Sequence, residues 1–118
     1  MTDGTYEKGL TGERKAVEYL TKKGMVLLSQ RYHSPFGEID LVMRDGDTLA
    51  FVEVKARDTG REGSGLISIT MRKQAKIIKT ALQYMTENNC DCAARFDVIE
   101  LTKDGIQYIM DAFVGKEF

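Results

Sequence analysis

A chain of 118 residues, 42 % apolar and 30 % charged, suits one compact domain with its own core and leaves little room for a second. A net charge of −1 and a pI near 5.8 exclude a protein that coats DNA by bulk positive charge. No apolar run approaches the roughly 18 residues that would span a bilayer, and MTDGTYEKGLTGERK lacks the apolar centre of a signal peptide. A cytoplasmic protein is expected, with no membrane partner.

Residues 11–23, TGERKAVEYLTKK, read as a helix with Ala16, Val17 and Leu20 as its apolar stripe and Gly24 as its stop. Glu13 shares that stripe's face. Two readings stay open for it: an inward carboxylate that something compensates, or a first-turn glutamate favoured by the helix dipole. Residues 25–32, MVLLSQRY, read as a strand, and 33–37, HSPFG, as a loop.

Residues 37–57, GEIDLVMRDGDTLAFVEVKAR, read as two strands joined by a tight turn at Asp45-Gly46-Asp47. Alternation puts Ile39, Leu41 and Met43 on one face and Glu38, Asp40, Val42 and Arg44 on the other. In the second strand Ala50, Val52, Val54 and Ala56 oppose Phe51, Glu53, Lys55 and Arg57. The apolar sets must meet on one side of the sheet, so Glu38, Asp40, Glu53 and Lys55 share the other. With Gly46 and Asp47 central in the turn, Asp40 faces Glu53 and Glu38 faces Lys55; with Asp45 and Gly46 central, Asp40 and Glu53 become diagonal neighbours.

Adjacent carboxylates repel unless a cation lies between them. Mg²⁺ takes one or two carboxylates and keeps several waters; such an ion polarises a phosphoryl oxygen and helps to generate a hydroxide nucleophile. Lys55 is placed to orient water or to stabilise phosphate charge. The competing reading is a solvated face with cross-strand salt bridges, Glu38 to Lys55 above all, and Asp-(x12)-Glu-x-Lys alone recurs by chance.

Residues 58–69, DTGREGSGLISI, read as a glycine-rich connection, and 70–88 as a second helix with Ile77, Ile78, Ala81, Leu82 and Met85 buried. Arg72, Lys76 and Lys79 fall on another face. Residues 55–79 hold seven Lys or Arg and two acids, a local +5 compatible with directed nucleic-acid binding or with a solvated helix face. RFDVIEL, 95–101, and IQYIMDAF, 106–113, read as closing strands around TKDG. The order is α-β-β-β-α-β-β, an α/β protein with one mixed central sheet flanked by helices. Cys90 and Cys92 read as free thiols, with too few neighbouring ligands for zinc. Tyr84 and Phe96 read as core and His33 as surface. Tyr32 and Phe36, beside the loop leading to Glu38, stay open between structural and base-stacking roles.

Asp40 with Glu53-Val54-Lys55 resembles the PD-(D/E)xK nuclease signature. GERKAVEYL (12–20), GEIDLV (37–42), FVEVKAR (51–57), the second helix and RFDVI (95–99) together resemble the YraN family over nearly the whole chain. That family is similar to archaeal Holliday junction resolvases, and the resemblance implies a restriction-endonuclease-like core. It implies Asp40 and Glu53 as metal-binding acids, the Val54 carbonyl as a further ligand, Lys55 as the catalytic lysine and Glu13 as a first-helix glutamate near the metal. Glu38 belongs to its GEID motif and could pair with Lys55 or Arg57. Arg57 and Gln74 are candidate phosphate contacts.

The resemblance departs at two points. Ile39 precedes Asp40, so the literal Pro-Asp is absent. Ile78 follows Gln74 by four, so the Gln-x-x-x-Tyr motif of exonuclease-type relatives is incomplete. The expected function is a Mg²⁺- or Mn²⁺-dependent endonuclease acting on branched, flapped or end-containing DNA in recombination or repair. The resolvase likeness adds a homodimer. In this reading residues 58–69, Arg72, Lys76 and Lys79 contact the DNA backbone. The alternative is a nuclease-fold module that binds nucleic acid without turnover.

Overall fold

A computed structural model describes residues 4–56 and 69–113. Arg57 and nearly all of the expected loop at 58–69 lie outside the described residues. The elements are α1 (Gly4–Lys22), β1 (Val26–Ser34), β2 (Gly37–Asp45), β3 (Thr48–Ala56), α2 (Met71–Glu87), β4 (Ala93–Thr102) and β5 (Gly105–Phe113). Among the described residues the order is the expected α-β-β-β-α-β-β.

The strands form one five-stranded mixed sheet in the order β1-β2-β3-β4-β5. Only β3 and β4 pair in parallel; the other neighbours are antiparallel. A parallel pair needs a long crossover, and α2 lies within this one. The sheet carries apolar residues on both faces. On one side Ala16 and Leu20 of α1 pack against Leu41, Met43, Ala50, Val52, Ile99 and Leu101. On the other, Ile77, Ala81 and Tyr84 of α2 cover Val42, Leu49, Phe51 and Phe96. Tyr84 and Phe96 are core residues, as expected. No described helix is long and apolar enough to cross a membrane.

Three expectations are corrected. Helix α1 begins seven residues before position 11, at Gly4. Gly4 and Gly9 weaken the helical pattern there. Gly12, inside the expected helix, is needed where it stands: a Cβ on it would meet Leu101 Cδ1 at 3.3 Å and Ala56 Cβ at 3.5 Å, so glycine lets the helix approach the sheet. The loop at 33–37 shrinks to a two-residue turn at Pro35 and Phe36, because Ser34 pairs with Gly37. Finally, Ile39 packs with Val42 under α2, not with Leu41. Alternation breaks beside Arg31, which takes a left-handed φ of 51° between the pairs Gln30–Leu41 and Tyr32–Ile39.

The RFDVI segment has a structural task. Register shifts between Phe96 and Val98, and Asp97 fills the irregularity with its fully buried carboxylate. It accepts from Arg95 Nε at 3.0 Å, from the Asp111 N–H at 2.8 Å and from the Tyr108 hydroxyl. Removing one partner of such a network leaves buried charge uncompensated. Asp97→Ala should therefore cost about 3–5 kcal/mol in urea unfolding; a loss below about 1 kcal/mol would show that the network is dispensable.

Candidate active site

The β2–β3 hairpin closes with Asp45 opposite Thr48, which makes Gly46 and Asp47 the central pair. Gly46 supplies the left-handed φ of 62° that the turn requires. This is the register that sets Asp40 level with Glu53. The antiparallel ladder runs only as far as Leu41–Val52. Beyond it the Asp40 carboxylate takes over, accepting the Val54 N–H at 2.8 Å. A side chain replaces a main-chain partner where the strands part.

Burial raises the Asp40 pKa to about 7, helped by the charges of Glu53, Glu13 and Glu38. The Val54 hydrogen bond pulls the other way and loses. Glu53 is also largely buried, with its side chain 11 % exposed. Its Oε1 meets two ammonium groups, Lys55 Nζ at 3.3 Å and Lys73 Nζ at 3.1 Å. Burial and the neighbouring Lys73 hold Lys55 below the usual lysine range, against the pull of Glu53. Burial also opposes charge on Lys73, but its hydrogen bond to Lys55 and the charges of Glu53 and Asp40 outweigh it and raise its pKa. Lys55 is thus the amine of the pair that gives up its proton more readily. Beside Lys55 in the parallel register lies Glu100, 1 % exposed.

The remaining candidates divide. Glu13 sits 12 % exposed against Arg31, whose Nε donates to its two carboxylate oxygens at 2.9 and 3.2 Å. Its inward aim is real, and a cation on β1 compensates it. Glu38 is paired with His33, at 3.8 Å, and not with Lys55. The two stand opposite each other on β1 and β2, and His33 is a surface residue as expected. Val54 contributes its N–H to Asp40 and packs its side chain toward α1. Gln74 turns back to donate to the Ile69 carbonyl at 3.2 Å beside the helix start. Arg72, Lys76 and Lys79 are exposed on α2. Cys90 and Cys92 are free.

Lys73 and Arg31 were not singled out by sequence. Lys73 had a signal: it precedes Ile77 by four and Thr80 by seven, so it lies on the buried stripe of α2. Arg31 had none, since its partner is 18 residues away on another element.

Among the described residues no three His, Cys, Asp or Glu side chains converge in a cluster able to hold a metal. Asp40 and Glu53 nevertheless offer hard oxygen donors of the kind that Mg²⁺ or Mn²⁺ takes. The raised pKa of Asp40 marks a place where added positive charge is favourable.

The folded protein holds the Asp40 proton more tightly than the unfolded chain, where the carboxyl titrates near 3.9. The stability this proton confers is fully present below about pH 4 and is lost as pH rises through about 7. Unfolding free energy should fall by on the order of 2–4 kcal/mol from about pH 4 to about pH 8. Asp40→Asn, neutral throughout and still able to accept from Val54, should remove most of that slope. Parallel urea-denaturation profiles for the two proteins would contradict the assignment.

Residues 12–101 match the family described as "Uncharacterised protein family UPF0102". The chain is 39 % identical to a UPF0102 protein of Shewanella halifaxensis, over 96 % of this chain and 100 % of that one. It is 43 % identical to one of Chromohalobacter salexigens over 80 % of this chain and 77 % of the relative. A third, from Sulfurihydrogenibium sp., is 44 % identical over 91 % and 94 %.

Proposed function

The chain belongs to the UPF0102 family, and on that footing we propose that it is a metal-dependent endonuclease that hydrolyses DNA phosphodiesters. The observation that carries this reading is the meeting of Asp40, Glu53 and Lys55 at the parting end of β2 and β3, with Asp40 raised to about 7 by burial and by Glu53. The mixed sheet with a helix on each face is compatible with a restriction-endonuclease-like core.

Asp40 and Glu53, with the main-chain carbonyl of Val54, would hold Mg²⁺ or Mn²⁺. When bound, the ion supplies Lewis-acid polarisation of a phosphoryl oxygen. Lys55, held low by burial, takes the proton from the attacking water at Nζ. Lys73 keeps its charge and faces the phosphate. Glu13, fixed by Arg31, holds negative potential behind Asp40. Arg57, Arg72, Lys76 and Lys79 supply backbone contacts. A near-neutral protein with local positive charge fits a shaped substrate (a branch, a flap or an end) better than long duplex. We place it accordingly in cytoplasmic recombination or repair, acting as a homodimer.

A second reading rests on the two ammonium groups already closed on Glu53. In it the chain binds nucleic acid without turnover, and DNA affinity is equal with and without Mg²⁺.

The deciding experiment offers single-stranded, duplex, flapped and four-way-junction DNA with Mg²⁺, Mn²⁺ or EDTA. Cutting should need metal, favour the branched substrates, disappear in Asp40→Ala and fall by about 10²–10⁴-fold in Lys55→Ala. No cutting of any substrate by the wild type would reject the enzyme in favour of the binding module. Equal cutting of linear and branched DNA would reject structure specificity alone.

A further inference from the structure

Two aromatic rings flank the strand that leads to Asp40, and the fold treats them differently. Tyr32 is engaged. It meets Tyr84 edge-on at 5.1 Å, and its hydroxyl donates to Glu87. Phe36 is 47 % exposed at the tip of the β1–β2 turn. An exposed phenylalanine ordinarily sits on a compliant loop, but this one does not. Ser34 Oγ accepts the Phe36 N–H at 3.0 Å and the Gly37 N–H at 3.2 Å. The same oxygen lies 2.9 Å from Thr80 Oγ1, fully buried on α2, which donates to the Lys76 carbonyl at 2.8 Å. The turn is thus tied to the helix behind it.

The helix also brings charge to the ring. Lys79 Nζ stands 5.6 Å from the Phe36 centroid, within cation–π range. Lys76 packs beside Gly37, where an added Cβ would lie 3.6 Å from the Lys76 Cβ. Lys73 reaches Glu53 at 3.1 Å. Lysines three apart therefore run along α2 from the acidic site to the ring, a span of roughly 9 Å of helix. Phe36 stands just before β2 and four residues before Asp40, roughly 13 Å of extended chain. That leaves room for a few nucleotides between a base on the ring and a phosphate at the acids.

We propose that Phe36 is a stacking platform for an unpaired base of single-stranded DNA, with Lys76 and Lys79 holding the adjoining phosphates. The proposal rests on the reading of this chain as one that acts on DNA, and it deepens it: the preferred substrate carries a single-stranded segment next to the cut. A base in duplex is already stacked on both sides, so the platform discriminates against it without reading sequence. The charges on the track are complementary to a phosphate chain.

The test uses the full chain in EDTA, so that binding is read apart from cleavage, with a labelled single strand and its blunt duplex. Phe36→Ala should weaken single-strand affinity by about tenfold or more, and Phe36→Tyr should retain it. Duplex affinity should change by less than about twofold in either variant. Lys79→Ala should lower the salt dependence of single-strand binding by about one phosphate contact. The chain has no tryptophan, so Phe36→Trp installs a single indole reporter whose fluorescence the single strand should quench. Equal single-strand affinity in wild type and Phe36→Ala, or indole fluorescence left unquenched at saturation, would overturn the platform. So would a wild type that binds no single strand. Phe36-dependent binding without any metal-dependent cutting would reject the enzyme and keep the platform; cutting that ignores Phe36 would do the reverse.

Discussion

Asp40 lies where β2 and β3 stop pairing, and its carboxylate accepts the Val54 N–H that the ladder no longer satisfies. A charged carboxylate taken out of water costs several kcal/mol unless it is compensated. One backbone donor is too little here, because Glu53 stands level with Asp40 and Glu13 and Glu38 add to the same field. The neighbourhood answers that excess with cations. Arg31 takes Glu13, and Lys55 with Lys73 closes on Glu53. Asp40 is left with its proton affinity raised to near neutrality. The charge balance of this end of the sheet therefore turns on this carboxyl, set by a two-residue turn that begins just past the end of β2.

Much of this was legible in the hairpin because alternation and turn chemistry point to the same register. Apolar faces had to match, and Gly46-Asp47 at the turn put Asp40 beside Glu53. Both cues are local. Ile39 escaped the same logic, because a left-handed residue on the neighbouring strand breaks alternation there, and nothing in the sequence of β2 records it. Lys73 escaped for another reason. A lysine among Arg72, Lys76 and Lys79 reads as solvated charge, although its spacing from Ile77 and Thr80 puts it on the covered side. The start of α1 was hidden by Gly4 and Gly9, whose low helix propensity breaks the pattern before position 11. The bulge at Asp97 and the Glu13–Arg31 pair are non-local and carry no sequence signal of their own.

Two parts of the molecule with opposite needs share α2. Its covered stripe, Ile77, Thr80, Ala81 and Tyr84, closes the core on one face of the sheet. Lys73 at the edge of that stripe reaches Glu53, and Lys79 on the exposed flank reaches Phe36. Ser34 and Thr80 join the two, so the turn that shows Phe36 to solvent is fixed by the same helix that charges its surroundings. A net charge of −1 and a directed positive track are therefore compatible: the positive charge is placed, not abundant.

The most direct test of the central claim, that Asp40 and Glu53 form a cation site, is Mn²⁺ titration by calorimetry in two buffers of different ionisation enthalpy near pH 6.5. A site that competes with the Asp40 proton and the lysine ammoniums predicts proton release on binding, tighter binding as pH rises through about 7, and loss of the signal in Glu53→Gln. Binding with no proton release, or equal binding by wild type and Glu53→Gln, would contradict it.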